Sequence, residues 1–297
     1  MKTAKILLKR NVKLFFKDKG MFFTALITPG ILLVLYATFL ANVYRDSFVS
    51  GLPTEAVISD RLIEGLVGGQ LISSLLAVSC VTVAFCANFL MVQDKANGTL
   101  RDLGISPVKS STLSLCYYFA TILSSLLICL VALALCLVYL GAIGWYLSAG
   151  DVLLLLLDVL LLVLFGTALS SLINRFLSTQ GQISAVGTIV SSGYGFICGA
   201  YMPISSFGEG LRHVISFLPG TYGTALLRNH AMRGALAEME REGIPAEAID
   251  GLRDALDCNL YFFDKAVSST AMYVILVGTI LLLVGAYILM GLRVKKH

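Results

Sequence analysis

The stretch LSLCYYFATILSSLLICLVALALCLVYL, Leu113–Leu140, runs without a single Asp, Glu, Lys, Arg or His. About 20 apolar residues carry an α-helix through the hydrocarbon of a bilayer, and this block exceeds that. Its apolar residues do not alternate with polar ones, as the strands of a membrane barrel require. Backbone in lipid must satisfy its own hydrogen bonds, so a helix is the consistent reading. Five further blocks of this kind lie around it: Met21–Val43, Leu66–Val92, Val152–Ile173, Ile183–Tyr201 and Val267–Leu292. The whole chain agrees, with 57% hydrophobic and 13% charged residues among 297. A soluble domain carries roughly 25% charged residues, which excludes a cytosolic or secreted enzyme and a nucleic-acid-binding protein. The chain reads as an all-α integral membrane protein with six transmembrane helices.

Six crossings put both ends on one side, and the placement of Lys and Arg says which. Lys2, Lys5, Lys9, Arg10, Lys13, Lys17 and Lys19 crowd the N-terminal arm against one acid, Asp18. The loop after the second block adds Lys95, Arg101 and Lys109, the turn after the fourth adds Arg175, and the tail adds Arg293, Lys295 and Lys296. Residues 141–151 carry no base, and in 202–266 the acids outnumber the bases. Cytoplasmic loops are the ones enriched in Lys and Arg. A multi-pass protein of the plasma membrane with both termini in the cytoplasm is therefore expected.

Two polar stretches carry helical periodicity of their own. In residues 1–20, Lys5, Lys9, Lys13 and Lys17 recur every four residues, while Ala4, Leu7, Leu8, Val12, Phe15 and Phe16 fill another face. That spacing predicts an amphipathic helix lying in the cytoplasmic interface, with ammonium groups toward anionic headgroups. Residues 21–297 then form the six-span domain. Near its end, Pro245 precedes Ile249, Leu252 and Leu256 among acids, which predicts a small external helix. Six of the seven cysteines lie in apolar blocks and only Cys258 in a polar stretch, so no disulfide framework is expected. The first apolar block is too long and starts too late for a cleavable leader. His213, His230 and His297 have no ligand-spaced neighbours, and no metal site or catalytic group is expected. Leu66-Val67-Gly68-Gly69-Gln70 mimics an ATPase signature, but it opens an apolar span, and no Gly in the chain precedes Lys as a P-loop requires.

The loop over residues 93–111 holds the most ordered-looking chemistry, QDKANGTLRDLGISPV over Gln93–Val108. Thr99 is placed to cap a short helix, with Asp102 at its third position. Leu100, Leu103 and Ile105 give that helix an apolar side, and Pro107 stops it. Docking onto a partner protein and packing as a local turn both account for such a side.

Asn97-Gly98-Thr99-Leu100-Arg101-Asp102-Leu103 followed by Ser106-Pro107-Val108 resembles the coupling helix of type-2 ATP-binding-cassette (ABC) exporter permeases. A second similarity follows at Leu218-Pro219-Gly220-Thr221-Tyr222, with Arg228 beyond it. There the family has two re-entrant helices in the outer leaflet before the last span. The likeness extends over nearly the whole chain in order and spacing, apart from an insert near 235–264. One departure is the approach Gln93-Asp94-Lys95-Ala96-Asn97, where the family often places a Glu. The resemblance implies ATPase coupling through Gly98, Thr99, Leu100, Arg101, Leu103 and Pro107. It implies an outer gate at Pro219, Thr221, Tyr222 and Arg228. It also implies two copies of a separately encoded cytoplasmic ATPase carrying ATP and Mg, with no cofactor on this chain. A second permease subunit, identical or paralogous, would complete a substrate path near spans two and five. The expected re-entrant pair is Ser206–Phe217 and Thr221–Met232, joined by a Pro219-Gly220 turn.

Asp158 interrupts an otherwise apolar span about two turns from its outer end. A charge in lipid is costly, so it either lines a polar interior or cavity or reaches the outer interface. In the fifth block, Gly195 and Gly199 form a small-xxx-small pair suited to close helix packing, within one subunit or between two. The favoured reading is the permease subunit of an ATP-driven exporter. An ATP-independent secondary transporter or channel is the alternative, and Asp158 is its main support.

Overall fold

The computed structural model describes residues 2–51, 58–105, 108–263 and 265–293. It is 84% helical, which settles the all-α class. In chain order the helices are α1 (Lys2–Lys17), α2 (Lys19–Leu35), α3 (Ala41–Gly51), α4 (Asp60–Ala96), α5 (Thr99–Ile105), α6 (Ser110–Ile143), α7 (Ala149–Asn174), α8 (Gln180–Ile197), α9 (Glu209–Ser216), α10 (Pro219–Arg241), α11 (Ala246–Ala255) and α12 (Ser269–Arg293). A π-helical turn, Tyr36–Leu40, joins α2 to α3 without a break in the rod. A small antiparallel hairpin, β1 (Leu260–Phe262) and β2 (Lys265–Val267), precedes α12, with Tyr261 opposite Ala266.

Six spans were expected, and among the described residues five helical stretches are long and apolar enough to cross a membrane: Lys19–Asp46, Asp60–Ala96, Ser110–Ile143, Ala149–Asn174 and Ser269–Met290. The block Ile183–Tyr201 corresponds to α8, which has 18 residues and carries Gln180, Gln182, Ser184, Thr188, Ser191 and Ser192. Its polar content keeps it out of that set. Three of the other helices start ahead of their apolar blocks, each behind a polar cap. Asp18 accepts the Met21 N–H at 3.1 Å to start α2. Ser59 caps α4, and Ser148 forms a reciprocal capping box with Asp151 at the start of α7. The last block is corrected at its start, since Val267 belongs to β2.

The central element is α4, a 37-residue helix about 56 Å long at 1.5 Å per residue. Its sequence is apolar or small all round, the mark of a helix buried on every side, and α2, α6, α7, α8 and α10 surround it. Gly69, in the stretch that mimics an ATPase signature, meets α10 so closely that a Cβ would lie 2.7 Å from Met232 and 2.9 Å from the Ala231 carbonyl oxygen. Close packing accounts for the small residues of Leu66–Gln70. The Gly195/Gly199 pair is not a helix seam. A Cβ on Gly195 would strike the Tyr201 ring of the same segment, and Gly199 lies beyond the helix with φ +74°.

Cross-helix contacts sort into two ends of the bundle. At one end α1 meets α6, where Cys116 Sγ reaches the Ala4 carbonyl at 3.5 Å. There too Lys95 of α4 donates to the Arg175 and Leu177 carbonyls at 2.8 and 2.9 Å, closing the end of α7. Arg175 donates to the Met290 carbonyl of α12 at 2.9 Å. At the other end Tyr36 OH donates to the Ala200 carbonyl at 2.9 Å. The segment α8 leaves the first end after Leu177 and reaches the second at Ala200.

Candidate functional site

The short helix α5 follows α4 after a two-residue break. Gly98 turns the chain with φ +80°, a conformation that side-chain-bearing residues rarely adopt. Its carbonyl accepts from Arg101 and Asp102 at 2.9 and 3.1 Å. Gly98 therefore starts the helix where Thr99 was expected to cap it, and Thr99 is the first helical residue. Pro107 lies outside the described residues. Leu100 and Leu103 are half-buried against the body of the protein, whereas Ile105 is 81% exposed beside exposed Arg101, Asp102 and Gly104. The apolar side expected to present Leu103 outward is thus split. Its inner part anchors α5, and Ile105 faces away.

Next to α5 is a polar node that the sequence did not advertise. Arg10 Nη1 and Nη2 donate to the two Asp94 oxygens at 2.8 and 3.3 Å, and Tyr117 OH donates to Asp94 at 2.5 Å. Asn11 accepts from the same guanidinium at 2.8 Å. The Asp94 hydrogen bond raises the Arg10 pKa further above its ordinary value. A bidentate Arg–carboxylate pair with a third donor fixes orientation as well as distance, so α1, α4 and α6 are pinned together one turn before α5. Arg10 breaks the four-residue lysine rhythm and Asp94 ends an apolar helix. Those two irregularities were the available signals.

Across the bundle, Asp158 is 1% exposed. His230 Nδ1 lies 2.6 Å from its Oδ2, and Tyr273 OH donates to its Oδ1 at 2.7 Å. Asp158 thus joins α7, α10 and α12 in a closed interhelical polar contact. His230 and Tyr273 were missed because neither stands out in the sequence.

The residues expected at an outer gate lie on one helix, α10. Two helices were expected at Ser206–Phe217 and Thr221–Met232; α9 and α10 are shorter and longer than that. Pro219-Gly220 is not a turn but the first residues of α10, where Pro lacks an N–H that would be unpaired anyway. The break falls at Phe217–Leu218, and at 23 residues α10 is not short. Thr221 Oγ1 donates to the Ile215 carbonyl at 3.3 Å and Tyr222 OH to the Ser216 carbonyl at 2.6 Å, satisfying the open end of α9. Arg228, also 1% exposed, donates to Asp257 at 3.0 Å and to the Gly199 carbonyl. Asp257 further accepts the Ile204 N–H at 2.7 Å. Burial pushes the Asp257 carboxyl up, and Arg228 pulls it back.

The expected external helix is α11, with Ile249 and Leu252 buried. Cys258, read as lying in a polar stretch, is 1% exposed, and all seven cysteines are free thiols.

No curated protein matches the chain. Residues 3–231, from α1 through the first half of α10, match the family described as ABC-2 type transporter. A multi-pass helical membrane protein whose matched region takes in α5, the Asp94 node and Arg228, the chain belongs to the ABC-2 type transporter family and is a permease of an ABC-type transporter.

Proposed function

We propose that this permease is the membrane half of an ATP-driven exporter, and that α5 is its docking element for a separately encoded cytoplasmic ATPase. The observation that carries this reading is Ile105. It is an isoleucine 81% exposed on a seven-residue helix whose remaining apolar residues hold it to the body. The Asp94 node holds α4 to α1 and α6, and Leu100 and Leu103 pack α5 against the same body, so that α5 can pass a push on to α4. ATP and Mg would bind the partner, and the relative motion of two ATPase copies through the ATP cycle would reach α4 through α5. A second permease subunit, identical or paralogous, completes the path, and cargo moves outward between the two. Drugs, peptides and glycolipids are the cargo classes that the likeness to type-2 exporters suggests.

The same reading takes α8 as a sixth crossing. Support comes from its run between the two ends of the bundle and from the Arg175–Met290 contact, which sets the end of α12 beside the end of α7. The arm α1 then lies in the cytoplasmic interface with both termini on that side. The α9–α10 pair acts as the outer re-entrant gate, supported by His230 meeting Asp158 about two and a half turns into α7.

The test is co-purification of the ATPase with parental and Ile105→Asp permeases, scored together with transport. An unpaired carboxylate in a docked apolar contact is expected to abolish association and transport while membrane insertion stays normal, since Ile105 lies outside every span. Retained association and parental transport would overturn the docking assignment.

A further inference from the structure

A lateral groove of about 790 Å³ runs between α2, α4 and α6. Along α2 its lining extends from Phe22 to Tyr36, roughly 21 Å at 1.5 Å per residue. That exceeds one leaflet of hydrocarbon, about half of roughly 30 Å. The lining is almost wholly apolar. Two of its hydroxyls are engaged elsewhere: Ser79 Oγ donates to the Leu75 carbonyl at 2.6 Å and Tyr36 OH to Ala200. The Tyr139 hydroxyl, on a half-exposed ring of α6 more than 20 residues from the end of α6 that meets α1, is the remaining one on the lining, which leaves most of the groove without a hydrogen bond to orient a polar cargo. A single extended acyl chain matches it in length and chemistry.

Charge at one end selects the headgroup. Phe16 and Phe22 line the groove where α1 turns into α2. At that elbow Lys13, Lys17 and Lys19 are exposed. The one carboxylate there, Asp18, accepts the Met21 N–H of its own helix. Cations beside an apolar slot favour an acidic amphiphile over a zwitterionic one.

We propose that the α2–α4–α6 groove binds one anionic phospholipid, its acyl chain along α2 and its phosphate at Lys17 and Lys19. The assignment stands independently of the transport reading. It uses faces of the protomer that no other segment covers among the described residues.

The full chain in phosphatidylcholine vesicles tests it. Trp145, the only tryptophan, is replaced in Trp145→Phe, and a reporter is introduced in the groove with Leu33→Trp. Quenching by phosphatidylglycerol with brominated chains is compared with quenching by phosphatidylcholine carrying the same chains. Preference for the anionic lipid is expected, roughly fivefold for each lysine engaged. It should fall to parity in Lys17→Ala/Lys19→Ala with quenching by both lipids intact. Gly30 lines the groove and an added Cβ there meets nothing within 4 Å. Gly30→Phe should therefore plug the slot and remove the preference with both lysines present. A reporter at Leu282→Trp, on the exposed face of α12, should show no preference. Equal quenching by both lipids at the groove reporter would overturn the proposal. So would quenching by neither, which would mean that a second copy of the chain fills the groove.

Discussion

Arg228 and Asp257 form a charged pair withdrawn from solvent, at 1% and 5% side-chain exposure. Removing one member of a buried pair leaves the other uncompensated, at a cost of about 3–5 kcal/mol. Asp257→Ala is therefore expected to lower the unfolding midpoint in detergent sharply. Arg228→Met/Asp257→Leu should recover much of the loss, because no lone charge remains. Beside the pair, burial pushes the Cys258 thiol up to about 12. A folded pKa above the unfolded value near 8.5 means stability holds below about pH 8.5 and falls as pH rises toward 12. Cys258 should accordingly resist maleimide at pH 8 in the folded protein and react once the protein is unfolded. The partners of Arg228 were not legible in the sequence, since Asp257 and Gly199 are brought to it by tertiary folding alone.

At the scale of elements, burial tracked sequence where one helix supplied its own pattern. From Leu66 to Val92 the residues of α4 are apolar or small except Gln70 and Asn88, which fits a helix enclosed on all sides, and the spacing of Ile249 and Leu252 gave the inner face of α11. Boundaries were misjudged where a cap or a proline set them. Ser148 with Asp151 lengthened α7, and Pro219 opened α10 instead of ending a helix. The hairpin before α12 was missed because its two strands are three residues each, too short for period-two alternation to register. Close approaches between elements were also invisible. A Cβ on Gly234 would overlap the carbonyl oxygen of Tyr146 in the α6–α7 connection. Gly234→Ala is thus expected to cost about 1–3 kcal/mol, the range for overpacking, read as a lower thermal midpoint with unchanged helix content. A backbone atom cannot rotate aside as a side chain can, so the upper end of that range is expected.

For the molecule as a whole, the membrane class followed from composition and block length, since too few charged residues remain to cover a soluble surface. The count of crossings did not follow as cleanly, because α8 trades apolar residues for glutamines, serines and threonines. Contacts at the two ends of the bundle are what support the sixth crossing proposed for α8. They tie α1, the ends of α4 and α7, and the end of α12 to one side, where α5 projects Ile105. Even the proposed docking surface was only half legible, for the periodicity that marked Leu100, Leu103 and Ile105 as one face could not say which of them the body would claim. The central claim is that this face meets a cytoplasmic ATPase. The most direct measurement is a photo-crosslinking amino acid at Ile105, irradiated in intact cells, with the adduct identified by mass spectrometry. The account predicts one adduct, joining the permease to an ABC ATPase subunit, and its loss when Leu103→Asp displaces α5. An adduct to an external protein, or none at a position 81% exposed, would contradict it.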